Sequence, residues 1–328
     1  MNAFEYASPA SVELALKALG GSDSAVLSGG TDLLNRIKDE VLSPGRLVAV
    51  NQIKAISGIT ENGGGLLIGA ATRLADIGKN PTIKSSYPPL LQAALEVGTP
   101  QIRNMATLGG NLLQRPRCWY FRAGQGLLAV KDGKSLVREG DNRYHAIFLT
   151  TGNALFAHPS SLSAPLIALG AKATIAGPRG ERTVGVEELY QVPKSEKDSE
   201  LTVAAGELLT KITIPGAFGK NATYEVRQKQ AHDWPLVLAS VNLEMEGETV
   251  IGPRIVLSAV APVPYRCEAA ERAIKGKPLS LENASAAAEA AVEGAKPLSM
   301  NSYKVALTKV AVKRALLAAV GNRYWEEA

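Results

Sequence analysis

Cysteine and histidine are scarce in this chain, with 2 and 3 copies in 328 residues. Cys118 and Cys267 do not make a disulfide framework, so a reducing compartment is expected. His145, His158 and His232 share no ligand-like spacing, and no metal site is read from them. Long apolar runs are missing as well: no uninterrupted stretch is long enough to span a bilayer. Met1-Asn2-Ala3-Phe4-Glu5-Tyr6 has neither the basic nor the apolar region of a secretory signal. The expected compartment is the cytoplasm, with the periplasm open only through a partner subunit. Blocks of Lys and Arg with interleaved aromatics are also lacking. The net charge of +5 is spread along the chain and aromatics make up 5%, so nucleic acid is not an expected partner. A basic face for an acidic subunit stays open. No serine sits in a G-x-S-x-G elbow. So few catalytic groups suit a protein whose reactivity is carried by a cofactor.

What is present is ordinary globular material, 46% hydrophobic and 20% charged, in a length that suits two or three domains. Residues 11–20 read as a short amphipathic helix, capped by Ser11 and stopped by Gly20. Ala25-Val26-Leu27 reads as a buried strand, Leu33 to Glu40 as a helix capped by Thr31 or Asp32, and Arg46 to Val50 as another strand. That order is a β–α–β unit, which implies a parallel pair and a right-handed crossover. Leu66 to Ala70 follows as a strand and Thr72 as a helix cap; Tyr87 to Val97 reads as a helix. Residues 113–150 break the pattern with Arg115, Arg117, Arg122 and Cys118, and so long an irregular segment is functional or disordered. Lys172 to Ala176 and Leu208 to Ile214 alternate as strands do. A boundary is expected near Pro215-Gly216-Ala217-Phe218-Gly219. Beyond it come strands at 223–227, 237–245 and 254–260, then helices at 280–293 and 303–319.

Two glycine loops lie about 80 residues apart, Ser28-Gly29-Gly30-Thr31-Asp32 and Thr107-Leu108-Gly109-Gly110-Asn111. Glycine takes positive φ readily and puts no side chain between backbone and ligand. Two such loops could bring bare N–H groups against one pyrophosphate, helped at the first by the start of the following helix. Asp32 would repel a phosphate, so it is expected to cap that helix or to accept a sugar or ribityl hydroxyl. Arg103 could pair with phosphate. Each loop could equally be a plain turn, with Asn111 bonded to its own backbone. Neither fits the G-x-G-x-x-G fingerprint or the P-loop, which disfavours a nicotinamide Rossmann domain and an NTPase. The arginines around Cys118 could lower its thiol pKa; the alternative is a structural cysteine in an arginine-rich surface. His232-Asp233-Trp234-Pro235 gathers polar and aromatic groups, or is a strand-entry turn.

At these residues the chain resembles the FAD-binding (medium) subunits of the molybdenum hydroxylases, a family that includes xanthine dehydrogenase, carbon monoxide dehydrogenase and aldehyde oxidoreductase. Gly29-Gly30-Thr31-Asp32-Leu33-Leu34 is similar to the family's first flavin loop. Ile102-Arg103-Asn104-Met105-Ala106-Thr107-Leu108-Gly109-Gly110-Asn111-Leu112 is similar to its second, and that run is highly specific. Asp233-Trp234-Pro235-Leu236 resembles the start of a strand in the family's C-terminal domain, and the likeness covers essentially the whole chain. It implies an α+β fold: a two-subdomain FAD-binding domain of the PCMH type at 1–217, divided into 1–58 and 59–217, and a sheet-plus-helices domain at 222–326 like the CO dehydrogenase flavoprotein C-terminal domain. It implies FAD contacts at Leu27, Ser28, Gly29, Gly30, Thr31, Asp32 and Leu33, at Ala106, Thr107, Gly109, Gly110 and Asn111, and at Ser161 and Leu209. The implied role is an oxidoreductase subunit active only in complex. It would pass electrons from a small two-iron iron–sulfur subunit through FAD to NAD, oxygen or another acceptor, beside a large molybdenum-cofactor subunit.

Departures from the family pattern bear on that role. Gln114 to Phe121 and Gly140 to Phe148 look most like the aldehyde oxidoreductase type, whose insert holds a four-iron cluster through four cysteines. This chain has Cys118 alone before Cys267, and one thiolate cannot hold such a cluster, so the cluster is expected to be absent and the segment structural. His158-Pro159-Ser160-Ser161 stands where relatives usually read His-Pro-Ser-Asp, and Ser161 brings no charge. Gly170 replaces another common Asp. Glu225 and Val226 follow Tyr224 where a basic residue is usual, with Arg227 next. An assembly or binding module that has lost FAD is the alternative expectation.

Overall fold

The computed structural model describes residues 1–21, 23–216 and 219–326. Near the N-terminus, helix α1 (Val12–Ala18) starts where the Ser11 hydroxyl accepts the Leu14 amide. Strands β1 (Glu5–Ala7), β2 (Ser24–Leu27) and β3 (Arg46–Ala49) form a parallel sheet in the order β1-β3-β2, with helix α2 (Leu33–Lys38) crossing between β2 and β3. The β–α–β reading therefore holds for this unit.

A five-stranded antiparallel sheet follows, in the order β4-β5-β10-β8-β9. Its strands are β4 (Ile59–Asn62), β5 (Gly65–Gly69), β8 (Lys172–Gly177), β9 (Gly180–Gly185) and β10 (Leu208–Ile214). Short helices pack on it: α3 (Leu74–Lys79), α4 (Pro81–Ser86), α5 (Pro88–Glu96), α6 (Pro100–Met105), α7 (Leu108–Leu112) and α10 (Ser163–Ala168). Leu66, Ile68, Leu74, Leu90, Leu166 and Ile212, all fully or almost fully buried, join sheet and helices into one core. Thr72 does not cap α3. Its hydroxyl exchanges hydrogen bonds with the backbone N–H and C=O of Gly58, tying the strand end to the preceding loop, and Arg73 holds the cap position.

The segment expected to be irregular is ordered. It contains helix α8 (Trp119–Arg122), the hairpin β6 (Val130–Lys131) with β7 (Lys134–Ser135), and helix α9 (Leu136–Glu139). Cys118, Phe121, Leu128 and Phe156 form a small core of their own, which composition alone did not announce because its apolar residues follow no period.

The expected boundary includes Ala217 and Phe218, which lie outside the described residues; β10 ends at Ile214 and β11 begins at Lys220. The C-terminal sheet is β11 (Lys220–Val226), β12 (Val237–Glu246), β13 (Thr249–Ser258) and β14 (Tyr265–Arg266), all antiparallel. Helices α11 (Glu268–Ile274), α12 (Leu281–Ala290) and α13 (Tyr303–Ala319) cover one face. Periodicity does not announce helix α11, whose two turns are short and charged. Strand β12 shows alternation at work. Val237, Ala239, Val241 and Leu243 point into the C-terminal core, while Leu238 on the other face belongs to the core of the five-stranded sheet. Among the described residues no helix is long and apolar enough to cross a membrane.

Candidate cofactor site

The two glycine loops meet. The first leaves β2 and leads into α2; the second joins α6 to α7. The hydroxyls of Ser28 and Thr107 lie 3.0 Å apart. Gly29 is pressed against the second loop so closely that a Cβ there would lie 1.9 Å from the Met105 carbonyl oxygen. Gly30 has φ +72°, the left-handed region glycine favours.

Their amides differ. Among the described residues, nothing accepts from the N–H groups of Gly29, Gly30 and Thr31. In the second loop the Gly109 amide donates to the Ala70 carbonyl at 2.8 Å, the Asn111 amide to the Thr107 carbonyl at 2.8 Å, and the Gly110 amide to the Thr107 hydroxyl at 3.2 Å. The expectation of bare amides in both loops thus holds for the first and fails for the second, where the start of α7 and the edge of β5 have taken them.

Two clefts flank the meeting point. One, of about 300 Å³, runs along Ser28, Gly29, Gly30, Thr31, Asp32, Leu33, Thr107, Gly109, Gly110 and Leu209, with aliphatic walls from Val26, Val50 and Leu208. The other, of about 370 Å³, is lined by Thr31, Asp32, Ala106, Gly110, Asn111 and Ser161, and by Trp234 and Pro235 of the C-terminal domain. Thr31, Asp32, Gly110 and Gln114 line both. Of the expected site residues Leu27 lines neither; its side chain packs with the small core of Leu33, Ile37 and Leu47.

Asp32 does something other than expected. It stands before α2 without a side-chain cap bond. Its carboxylate is held by Arg122 at 2.7 Å, Arg117 at 2.8 Å and Arg36 at 3.2 Å, and accepts the Arg115 amide at 3.2 Å. Burial pulls its pKa upward, but Arg117, Arg122 and Arg36 outweigh that and hold it below the usual value. Burial lowers Arg117 to about 10, against the pull of Asp32. Arg115 pairs in turn with the buried Glu200. Four guanidinium groups face two carboxylates here, so the ground beneath the loops is net positive. The sequence showed these arginines but tied them to Cys118, because nothing local links positions 115–122 to Asp32.

Other expectations are also corrected. Arg103 is turned away from the clefts and donates to the carbonyls of Val97 and Gly98. Asn111 makes no bond to its own backbone; Ser160 donates to its Oδ1 at 2.7 Å. The Cys118 thiol is raised by burial, which outweighs its Phe121 and Tyr120 backbone bonds and the Arg122 charge, and Sγ lies 3.2 Å from His145 Nε2. Arg227 pairs with Glu96 and Glu225. Burial pushes the Glu225 carboxyl up to about 8 despite Arg227, with Glu96 and Asp233 adding to the rise. His232 Nδ1 lies 3.1 Å from the Gly98 carbonyl, so the turn His232–Pro235 forms a rim of the second cleft as well as a strand entry.

Residues 2–217 match the FAD binding domain in molybdopterin dehydrogenase, and residues 222–319 match the CO dehydrogenase flavoprotein C-terminal domain. The chain is 29% identical to the aldehyde oxidoreductase FAD-binding subunit PaoB of Escherichia coli, over 94% of this chain and 96% of that one. It is 31% identical to the carbon monoxide dehydrogenase medium chain of Hydrogenophaga pseudoflava, over 96% of both. The solved carbon monoxide dehydrogenase of Hydrogenophaga pseudoflava that lacks the Mo-pyranopterin moiety superposes with a TM-score of 0.77 at 30% identity, covering 97% of this chain and 98% of the matched one. Matched by both family models along nearly its whole length, and 31% identical to that medium chain, the chain belongs to the FAD-binding medium subunits of the molybdenum hydroxylase family.

Proposed function

We propose that this chain is the electron-transfer subunit of a cytoplasmic molybdenum-containing hydroxylase or dehydrogenase, with FAD across the two clefts and its pyrophosphate over Gly29, Gly30 and Gly110. The observation that carries this reading is Gly110. Its φ is not positive, and a Cβ built there meets only the Thr107 hydroxyl, at 3.0 Å. No backbone atom stands in the way of a side chain at this place, inside a helix where glycine is unfavourable by roughly 0.5–1 kcal/mol relative to alanine; the single close neighbour is the Thr107 cap hydroxyl. Gly110 faces both clefts, so the room it keeps is room for a ligand.

The residues divide the work. The unpaired amides of Gly29, Gly30 and Thr31 would donate to the pyrophosphate, and the excess of arginine beneath them would offset its charge. The hydroxyls of Thr107 and Ser161 and the braced Asn111 orient the chain of the ligand. The aliphatic first cleft suits adenine. The second, with Trp234 45% exposed in its lining, would take the remainder of the cofactor. FAD, when bound, supplies the reversible uptake of electrons that no side chain here can. In this reading the partners are a large molybdenum-cofactor subunit and a small two-iron iron–sulfur subunit, and the final acceptor is NAD, oxygen or another oxidant.

Gly110→Val tests the reading. Flavin content and FAD affinity of the purified variant are expected to fall at least about 100-fold while the fold persists, with the melting temperature lowered by only a few degrees. Undiminished flavin in a folded variant would overturn the placement.

A further inference from the structure

A third cavity, of about 230 Å³, opens beside the cofactor clefts. Lys304 lies at its wall, only 1% exposed. Its Nζ donates to the carbonyls of Ala259 at 2.8 Å and Tyr144 at 3.1 Å. An ammonium carries three donors, so one is left over. Among the described residues no carboxylate comes within salt-bridge distance of it. Asp233, also at the wall, accepts the amides of Lys229 and Trp234 instead. A charge buried without a counter-ion is costly, and burial drives this amine down to about 7. Around it stand aromatic rings. Trp119 meets Tyr144 edge-on at 5.7 Å and His145 at 5.5 Å, and Trp234, also at the wall, carries the Arg117 guanidinium 4.7 Å over its face.

We propose that this chamber binds a small aromatic carboxylate, its carboxylate on the Lys304 ammonium and its ring among Trp119, Tyr144 and Trp234. The other ligand classes leave something unmatched. A cation would face Lys304 and Arg117, a neutral apolar molecule would leave the ammonium unpaired, and a bare inorganic anion would leave the rings uncovered. The space is adequate: a cavity of about 150 Å³ holds benzene. The site is separate from the glycine loops and does not rest on the cofactor reading. It shares Arg117, Asp233, Trp234 and Pro235 with the second cleft, so an occupant would press on that wall.

Benzoate titrated into the full chain, followed by calorimetry and tryptophan fluorescence, tests this. Saturable binding is expected, with benzamide and acetate each weaker by at least about tenfold. Lys304→Met is expected to reduce benzoate to the level of benzamide. Because that change also strands two carbonyls, Trp119→Ala serves as a second variant, expected to weaken benzoate at least about tenfold in a protein with an unchanged circular dichroism spectrum. Absence of saturation at ~10 mM benzoate would overturn the proposal. So would benzamide binding as well as benzoate, which removes the role of the ammonium, or acetate binding as well, which removes the role of the rings.

Discussion

The two glycine loops carry the same Gly-Gly pair and use it in opposite ways. In the first, Gly29 is glycine because another backbone occupies the place of its side chain, and Gly30 because its φ is positive. The amides there stay unpaired. In the second, the amides are taken up by the protein, yet no backbone stands against Gly110, whose one close neighbour is the Thr107 hydroxyl. One loop offers donors and the other offers space. A pair of glycines in a sequence says only that a side chain is unwelcome; it does not say whether the protein or the ligand excludes it.

The contrast can be broken by mutation, most severely at Gly29. Gly29→Ala should cost at least about 3 kcal/mol in chemical denaturation, because the added carbon meets backbone that cannot swing aside. A variant as stable as the parent would dissolve the distinction. Gly110→Val should show the reverse pattern, with FAD affinity lost by about 2.7 kcal/mol, the equivalent of 100-fold, and stability lowered by about 1 kcal/mol as the Thr107 cap is disturbed.

Asp32→Asn probes the positive base under the first loop. Leaving three guanidinium groups without their carboxylate should cost about 2 kcal/mol near neutral pH. The folded pKa of Asp32 lies below its ordinary value of 3.8, so the stability it contributes is present above that pH and is lost as the pH falls through the lowered value. Parent and variant should therefore converge in acid unfolding below that pH; a constant gap would refute the pairing.

Glu225 has the opposite sign. Its folded pKa, about 8, stands above the ordinary 4.5, so the folded state holds the proton more tightly and stability falls as pH rises between those values. Glu225→Gln should remove that slope and gain about 1–2 kcal/mol at pH 8. An unaltered slope in melting temperature against pH would place the titration elsewhere. The smallest effect is expected at Arg103. Arg103→Ala should lose about 1 kcal/mol of stability with its two carbonyl bonds and leave FAD affinity unchanged. A drop in affinity would return Arg103 to the phosphate.

Much of this was legible in the sequence where local rules suffice. The Ser11 cap, the β–α–β order and the strand at 208–214 follow from capping chemistry and periodicity. The specific run Ile102–Leu112 pointed to the family. What could not be read is what depends on distant partners. The amides of the second loop look bare until Ala70 is seen beside them. Asp32 looks like a helix cap until Arg117 and Arg122 arrive from about 90 positions away. Thr72 looks like a cap until Gly58 is found against its hydroxyl. The ordered segment around Cys118 was opaque because its apolar residues follow neither the helical nor the strand period.

Strand β12 has a consequence for engineering and for descent by recombination. One of its faces completes the core of its own domain and the other sends Leu238 into the core of the flavin half, so the seam between the halves is not an interchangeable joint. A chimera that takes residues 1–214 from this chain and the remainder from a relative keeps the seam only where the donor also buries a leucine at the position of Leu238; removing that buried leucine costs about 2–5 kcal/mol. Grafts that exchange the turn 228–235 alone leave that seam closed, and they are the smaller step by which one subunit could acquire the cofactor environment of another.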